Sequence, residues 1–209
     1  MINFLIIVFI VTLLYAAKNE LVKQYIFILG LQGLILFSVA ILELNEINIP
    51  HLVLILLETL LFKAIFVPLF LRRLAKRSNI HKNTKSLLSK NASIVLAVFI
   101  VGVSFTIAHL LHDEHLEIKY FAAAISSIAI GLFIAINHKD IFTHLISFLI
   151  LENGIFLLSL ALGSEMPMFV NAAILLDIFS TVLIMGMFFN KMNQYFDQAH
   201  IDKLSQLKD

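Results

Sequence analysis

Seven apolar runs divide this chain: 2–17, 24–43, 50–71, 92–111, 119–137, 141–163 and 168–190. About 20 apolar residues carry an α-helix across the hydrocarbon core of a bilayer. A helix satisfies its backbone polar groups within the segment, which a lipid-facing span requires. The pattern predicts an all-α, polytopic membrane protein with seven transmembrane helices. The first run is short. However, Met1-Ile2-Asn3 brings no side-chain cation before it, and Lys18 follows it. That order is the reverse of a cleavable leader, and it predicts a retained helix.

The polar breaks between runs set an orientation. Lys18 and Lys23 follow the first run, and Arg72, Arg73, Lys76, Arg77, Lys82, Lys85 and Lys90 fill the connection 72–91. Lys139 separates the fifth and sixth runs, and Lys191, Lys203 and Lys208 lie beyond the seventh. If the spans alternate, these thirteen of the fifteen basic residues share one side. The opposite connections hold Lys119 among Glu43, Glu46, Asp113, Glu114, Glu117 and Glu165. The rule that cationic loops stay cytoplasmic predicts the N-terminus outside and the C-terminus inside. The basic connection is expected to lie along the anionic inner leaflet. Without an aromatic platform it is no nucleic-acid site. Ile201, Leu204 and Leu207 recur at helical spacing in the tail, which fits a short surface helix.

A shift of 121 residues superposes 18–41 on 139–162 without gaps. It matches Lys18/Lys139, Phe27/Phe148, Gly33/Gly154, Leu36/Leu157, Ser38/Ser159 and Ala40/Ala161, and sets Gln32 on Asn153. At a shift of 119, Ile55-Leu56-Leu57-Glu58 falls on Ile174-Leu175-Leu176-Asp177. Two parallel three-helix repeats, 1–71 and 119–190, are therefore expected. A basic cytoplasmic loop plus a linking transmembrane helix, 72–118, joins them, and 191–209 is a cytoplasmic tail. Internal repeats of this kind are common in ion-handling membrane folds.

Composition narrows the chemistry. Hydrophobic residues make up 60% of the 209, above the 45–50% of soluble domains, which leaves little chain for a soluble domain. There is no cysteine, so thiolate-held zinc and iron–sulfur sites are excluded from this chain. No nucleotide-binding loop, zinc-protease or serine-hydrolase motif occurs, and no catalytic centre is visible. His109, His112 and His115 recur every third residue beside Asp113, Glu114 and Glu117. That cluster reads as a polar loop leaving the fourth span.

The candidate chemistry lies within the spans. Glu58, Glu152 and Asp177 each sit in the middle of an apolar run, and Lys63 is buried in the same way. Intramembrane ionisable groups are expensive and mark ion paths by default. Glu152 and Asp177 fall midway along successive antiparallel spans, at similar depth given the 1.5 Å rise per residue. Desolvation raises the pKa of such a carboxyl group, which suits it to a proton or cation relay. The other reading of each acid is a protonated interhelical contact. His144, Phe148 and Glu152 recur at i, i+4 and i+8, so His144 is a candidate proton donor to Glu152 from the cytoplasmic side. Glu58 and Lys63, five residues apart, do not share a face of an α-helix. Lys63 then calls for a carboxylate partner: Glu58 after local unwinding, Glu152, Asp177 or an acid on another subunit.

The run Leu151-Glu152-Asn153-Gly154, followed by Asp177 in the last span, resembles the NuoK-like subunit of respiratory complex I, called MrpC in multi-subunit cation/proton antiporters. With Lys63-Ala64 and Val67-Pro68-Leu69 added, most of the chain resembles the hydrogenase-4 component E (HyfE) family. The resemblance implies a non-redox membrane subunit of a group 4 hydrogenase or formate hydrogenlyase type of complex in a prokaryotic inner membrane. It implies larger antiporter-like subunits and a peripheral redox module as partners. No cofactor is expected in this chain, and iron–sulfur and possible nickel–iron centres are expected on those partners. It places Glu152 and Asp177 on a path for protons or sodium ions. Two departures stand out. Asp177 replaces the usual Glu, and Glu58 has no acidic partner in the second span, where Gln32 occupies the region. Rival classes are a subunit of a cation/proton antiporter, an independent small ion transporter and a structural spacer of a membrane arm.

Overall fold

A computed structural model describes residues 1–43, 53, 56–77, 86–111, 117–162, 180 and 187. The chain divides into two compact units, Met1–Ala173 and Ile174–Asp209. Of the second, only Ser180 and Met187 are described, both in helical conformation.

Among its described residues the first unit is helical apart from connections and an isolated antiparallel bridge between Ser86 and His138. Helix α1 spans Ile2–Lys18 and α2 spans Val22–Glu43. Helix α3 begins as a π-helical stretch, Leu56–Phe66, and continues as an α-helix over Val67–Arg77. Helices α4, α5 and α6 span Lys90–Leu110, Ile118–Asn137 and Ile141–Leu162. Four helices are long and apolar enough to cross a membrane: Val22–Glu43, Lys90–Leu110, Ile118–Asn137 and Phe142–Leu162. The protein is a multi-pass, all-α membrane protein.

Of the seven expected spans, the described residues show these four as apolar helices of full membrane-crossing length. The first run forms the shorter apolar helix Ile2–Lys18. The third run is described at Val53 and from Leu56 onward, and changes its winding within the span. The seventh run, 168–190, lies outside the described residues except at positions 180 and 187, and the tail lies wholly outside them. The basic connection expected from 72 onward also needs correction, because helix α3 runs on to Arg77. Lys76 and Arg77 continue the helical turn that carries Arg72 and Arg73. A cationic last turn is favourable at the negative end of a helix dipole.

Neighbouring helices pack antiparallel. Gly30 lies against Pro68, and Gly33 against Ala64, so α3 descends along α2. Gly131 lies against Ser147 and Leu151, and Gly154 against Ala124 and Ser127, which gives α5 and α6 the same relation. Helix α5 is suited to close approach because Ala122, Ala123, Ala124, Ser126, Ser127 and Gly131 are all buried. Lipid tails give no hydrophobic drive for helices to associate, so small residues and interhelical hydrogen bonds supply the attraction. The Ser127 hydroxyl, for example, donates to the Ile150 carbonyl across 2.8 Å. Helix α4 contrasts with this pair. It buries Ser93, Ala97, Ser104 and Ala108 and exposes Val95, Val98, Phe99 and Leu110.

Polar contacts gather the connections at two ends. At one end, Leu87 N–H donates to the Asn137 carbonyl at 2.8 Å, and Leu88 N–H to the Asn137 side chain at 2.9 Å. Glu20 joins them, accepting from Ser86 at 3.1 Å and pairing with Lys90 at 3.1 Å. At the other end, Tyr120 donates to Glu43 at 2.6 Å, and Glu117 N–H to the Ala161 carbonyl at 3.4 Å. The connections 19–21, 86–89 and 138–140 therefore share an end, as alternation of the helices requires.

Candidate functional site

A polar layer crosses the first unit at mid-height. Gln32 and Glu152 stand at the middles of α2 and α6, helices whose apolar residues run around every side. Gln32 is fully buried, and Glu152 and Asn153 are 3% and 4% exposed. An amide buried in an apolar setting costs about 2–7 kcal/mol without a hydrogen bond. These amides have partners. Asn153 Nδ2 donates to Gln32 Oε1 at 3.0 Å, and Gln32 Nε2 donates to Thr12 Oγ1 at 3.1 Å. Thr12 in turn donates to the Phe9 carbonyl at 2.6 Å. Gln32 and Asn153 are the residues that the internal repeat superposes, and here they touch.

Glycines set the spacing around this layer. A Cβ built on Gly33 would stand 2.8 Å from the Ala64 nitrogen and 2.9 Å from the Lys63 carbonyl carbon. Only a residue without a side chain lets α2 approach the α3 backbone there, and that approach sets Lys63 at the level of Gln32. The Lys63 ammonium lies over the Phe156 ring, 4.9 Å from its centroid, within cation–π range. Phe156 follows Glu152 by four residues and so shares its helix face one turn away. Gly154 performs the corresponding service for α5, with Ala124, Ile128 and Ser127 each 2.9 Å from a built Cβ.

The sequence candidates therefore fare differently. Lys63 reaches the Phe156 ring of α6, one helical turn from Glu152. Glu58 falls in the π-helical stretch, and its side chain lies outside the described residues. The expectation that positions 58 and 63 lie on different helix faces is corrected by the winding of this stretch. A π-helix bonds i to i+5, which puts these two positions one turn apart. Asp177 lies outside the described residues. His144 is exposed, with Nδ1 donating to the Asp140 carbonyl at 2.7 Å, and Phe148 on the same face is exposed as well. Glu152 is buried about 12 Å further along the axis, at 1.5 Å per residue.

Two features escaped the sequence reading. The first is the Thr12–Gln32–Asn153 chain, for which the repeat alignment was the available signal. The second is His138, at the end that gathers Glu20, Ser86 and Lys90. His138 is 2% exposed, and its ring stands edge-on to Tyr25 at 6.3 Å between centroids. Its Nδ1 contacts the Ile134 carbonyl at 3.0 Å. A carbonyl only accepts, so Nδ1 carries the hydrogen and neutral His138 keeps a bare Nε2. That Nε2 is buried and has no hydrogen-bond partner among the described residues. Burial pushes the His138 pKa below the ordinary 6.5, against the opposing pull of the Ile134 carbonyl, Asp140 and Glu20. The described residues hold no cluster of three or more potential metal ligands.

No protein-family model matches this chain. It is similar to an uncharacterized protein of Mycobacterium tuberculosis, Rv0085, with 23% identity over 185 residues. The similarity covers 87% of this chain and 84% of that protein. No solved structure matches it.

Proposed function

We propose that this chain is a non-redox membrane subunit of a complex I-related, energy-converting complex of the group 4 hydrogenase or formate hydrogenlyase type. In this reading it contributes to a proton or sodium path coupled to redox chemistry on partner subunits. Glu152 and Asp177 hold and release the ion-linked proton, and Lys63 modulates Glu152 through its charge. The chain has seven spans in two repeats, with the N-terminus outside and the C-terminus in the cytoplasm of a prokaryotic cell. In this reading the metal centres belong to partner subunits, in keeping with a chain that has no cysteine.

The observation that carries the reading is the burial of Glu152 at mid-helix, one turn from the aromatic ring that holds the Lys63 ammonium. An acid and a cation kept at this depth are costly for a spacer and useful for ion transfer. When the redox module changes state, a shift of charge or contact near Lys63 changes the proton affinity of Glu152. Glu152→Gln and Asp177→Asn are expected to lower coupled ion pumping in native membrane vesicles by at least about a hundredfold, the low end of what a positioned proton-transfer group contributes. The complex should still assemble in both variants. Normal pumping in both removes the relay. A pull-down from native membranes that brings no antiporter-like or redox subunit removes the complex.

A further inference from the structure

The donors and acceptors of the central chain admit one ordering. The Phe9 carbonyl can only accept, so the 2.6 Å contact uses the single Thr12 hydroxyl hydrogen. Thr12 Oγ1 must then accept from Gln32, which turns the Gln32 amide so that Nε2 faces α1. Gln32 Oε1 is left facing α6 and must accept from Asn153 Nδ2. One backbone carbonyl on α1 thereby fixes two amides on two other helices. A chain ordered in this way passes no proton, because neither amide gives up a hydrogen while taking another. Its work is mechanical.

What it holds is the rotation of α6. That helix is apolar on every side, so contact with lipid or with apolar neighbours favours no particular azimuth. Gly154 seats α6 on α5, and the Asn153–Gln32 bond ties it to α2. Successive helical residues point about 100° apart. A fixed direction for Asn153 therefore fixes the direction of its neighbour Glu152. We propose that Gln32 is a positioning residue for Glu152, acting through Asn153 and braced from behind by Thr12. The inference rests on Glu152 being the working acid of the site, but its test does not use pumping.

The test is carbodiimide labelling of the full chain in native membranes. Dicyclohexylcarbodiimide partitions into lipid and adds to protonated carboxyl groups. Peptide mass analysis then gives the rate of adduct formation at Glu152 across a pH series, with Glu152→Gln as the blank. Gln32→Leu is expected to change that rate about fivefold, the factor one ordinary hydrogen bond carries, and to displace its pH profile. Gln32→Asn and Asn153→Gln should each disturb the profile. The double exchange, which restores the summed length of the pair, should bring it back. A wild-type profile in Gln32→Leu overturns the proposal. So does a double exchange no closer to wild type than either single variant, and this arm decides the matter if Gln32→Leu does not assemble. Unchanged pumping in Glu152→Gln would remove the relay and leave the labelling result standing.

Discussion

Leu31 and Glu152 occupy equivalent places in two helices that otherwise carry the same devices. In α2 the run is Leu31-Gln32-Gly33, and in α6 it is Glu152-Asn153-Gly154. Each has an amide that reaches the other helix and a glycine that admits a neighbouring backbone. The neighbours differ, since Gly33 faces α3 and Gly154 faces α5. The amide pair and the glycines are thus the shared framework of the repeat, and the acid is an addition to one copy. A framework that holds with leucine in one helix does not need the carboxyl group of the other. If Glu152 serves the proposed ion path rather than packing, removing it should separate function from stability.

The glycines give the largest expected effects. Gly33→Ala puts a methyl group 2.8 Å from a backbone nitrogen, and backbone in a helix cannot step aside. The α2–α3 contact must open, at a cost of about 3 kcal/mol, the upper end of ordinary overpacking. Gly154→Ala meets the Ala124 carbonyl and the Ser127 Cβ, both fixed to the α5 backbone, and the Ile128 Cγ1, which can rotate away. A smaller loss, about 2 kcal/mol, is expected. Thermal unfolding in detergent should rank the two variants in that order. Equal losses would mean that the two glycines do the same work after all.

Exchange of the acid tests the other side of the comparison. Leu31→Glu places a second carboxyl group at the same depth, and should cost about 2.5–3.5 kcal/mol, as insertion scales give for a central Asp. Leu31→Gln should cost less, because an amide beside Gln32 has partners within reach. Both should leave pumping intact if the assembly survives, whereas Glu152→Gln should abolish pumping and preserve the fold. A pumping defect in Leu31→Gln as deep as that in Glu152→Gln would erase the distinction between the copies.

Much of this was legible in the sequence. The apolar runs are long and uninterrupted, and each central acid stands alone against leucine and phenylalanine. The gapless repeat set Gln32 on Asn153, although superposition alone does not say that equivalent residues touch. Where the reading failed, the cause was three-dimensional. The winding of Leu56–Phe66 depends on what packs against it, and no local residue announces a π-helix. His144 shares a nominal face with Glu152, whereas nothing in the local sequence marks His138 as buried. Burial of His138 comes instead from Tyr25 on α2 and from the 86–88 segment crossing over it, both remote in sequence.

His138 gives a pH-dependent contrast between the end of the first unit and its centre. Its folded pKa lies below 6.5, so the folded state favours the neutral ring. That contribution to stability is complete above about pH 6.5. It falls as the unfolded chain takes up the proton first, and it is lost once the pH drops through the folded pKa. The groups facing the ring are Tyr25, Glu20, Asp140 and His144. Unfolding midpoints measured from about pH 8 to about pH 5 should therefore decline, with a slope of at most about 1.4 kcal/mol per pH unit from this residue. The slope should shrink in His138→Gln. If the variant and the wild type decline in parallel, the buried ring is not the sensor.

Gly102 supplies the smallest effect and the control for the first. It lies in α4, exposed, and a Cβ built there meets nothing within 4 Å. Gly102→Ala therefore brings no clash and removes the backbone freedom that glycine brings to the unfolded chain. A gain of about 0.5–1 kcal/mol is expected, the helix-interior difference between the two residues. The same substitution thus carries opposite signs at positions 33 and 102, and sequence alone assigns neither, because both glycines sit in the middle of an apolar helix. A loss at Gly102→Ala comparable to that at Gly33→Ala would show that the exposed face of α4 is covered by a closely packed partner rather than by lipid.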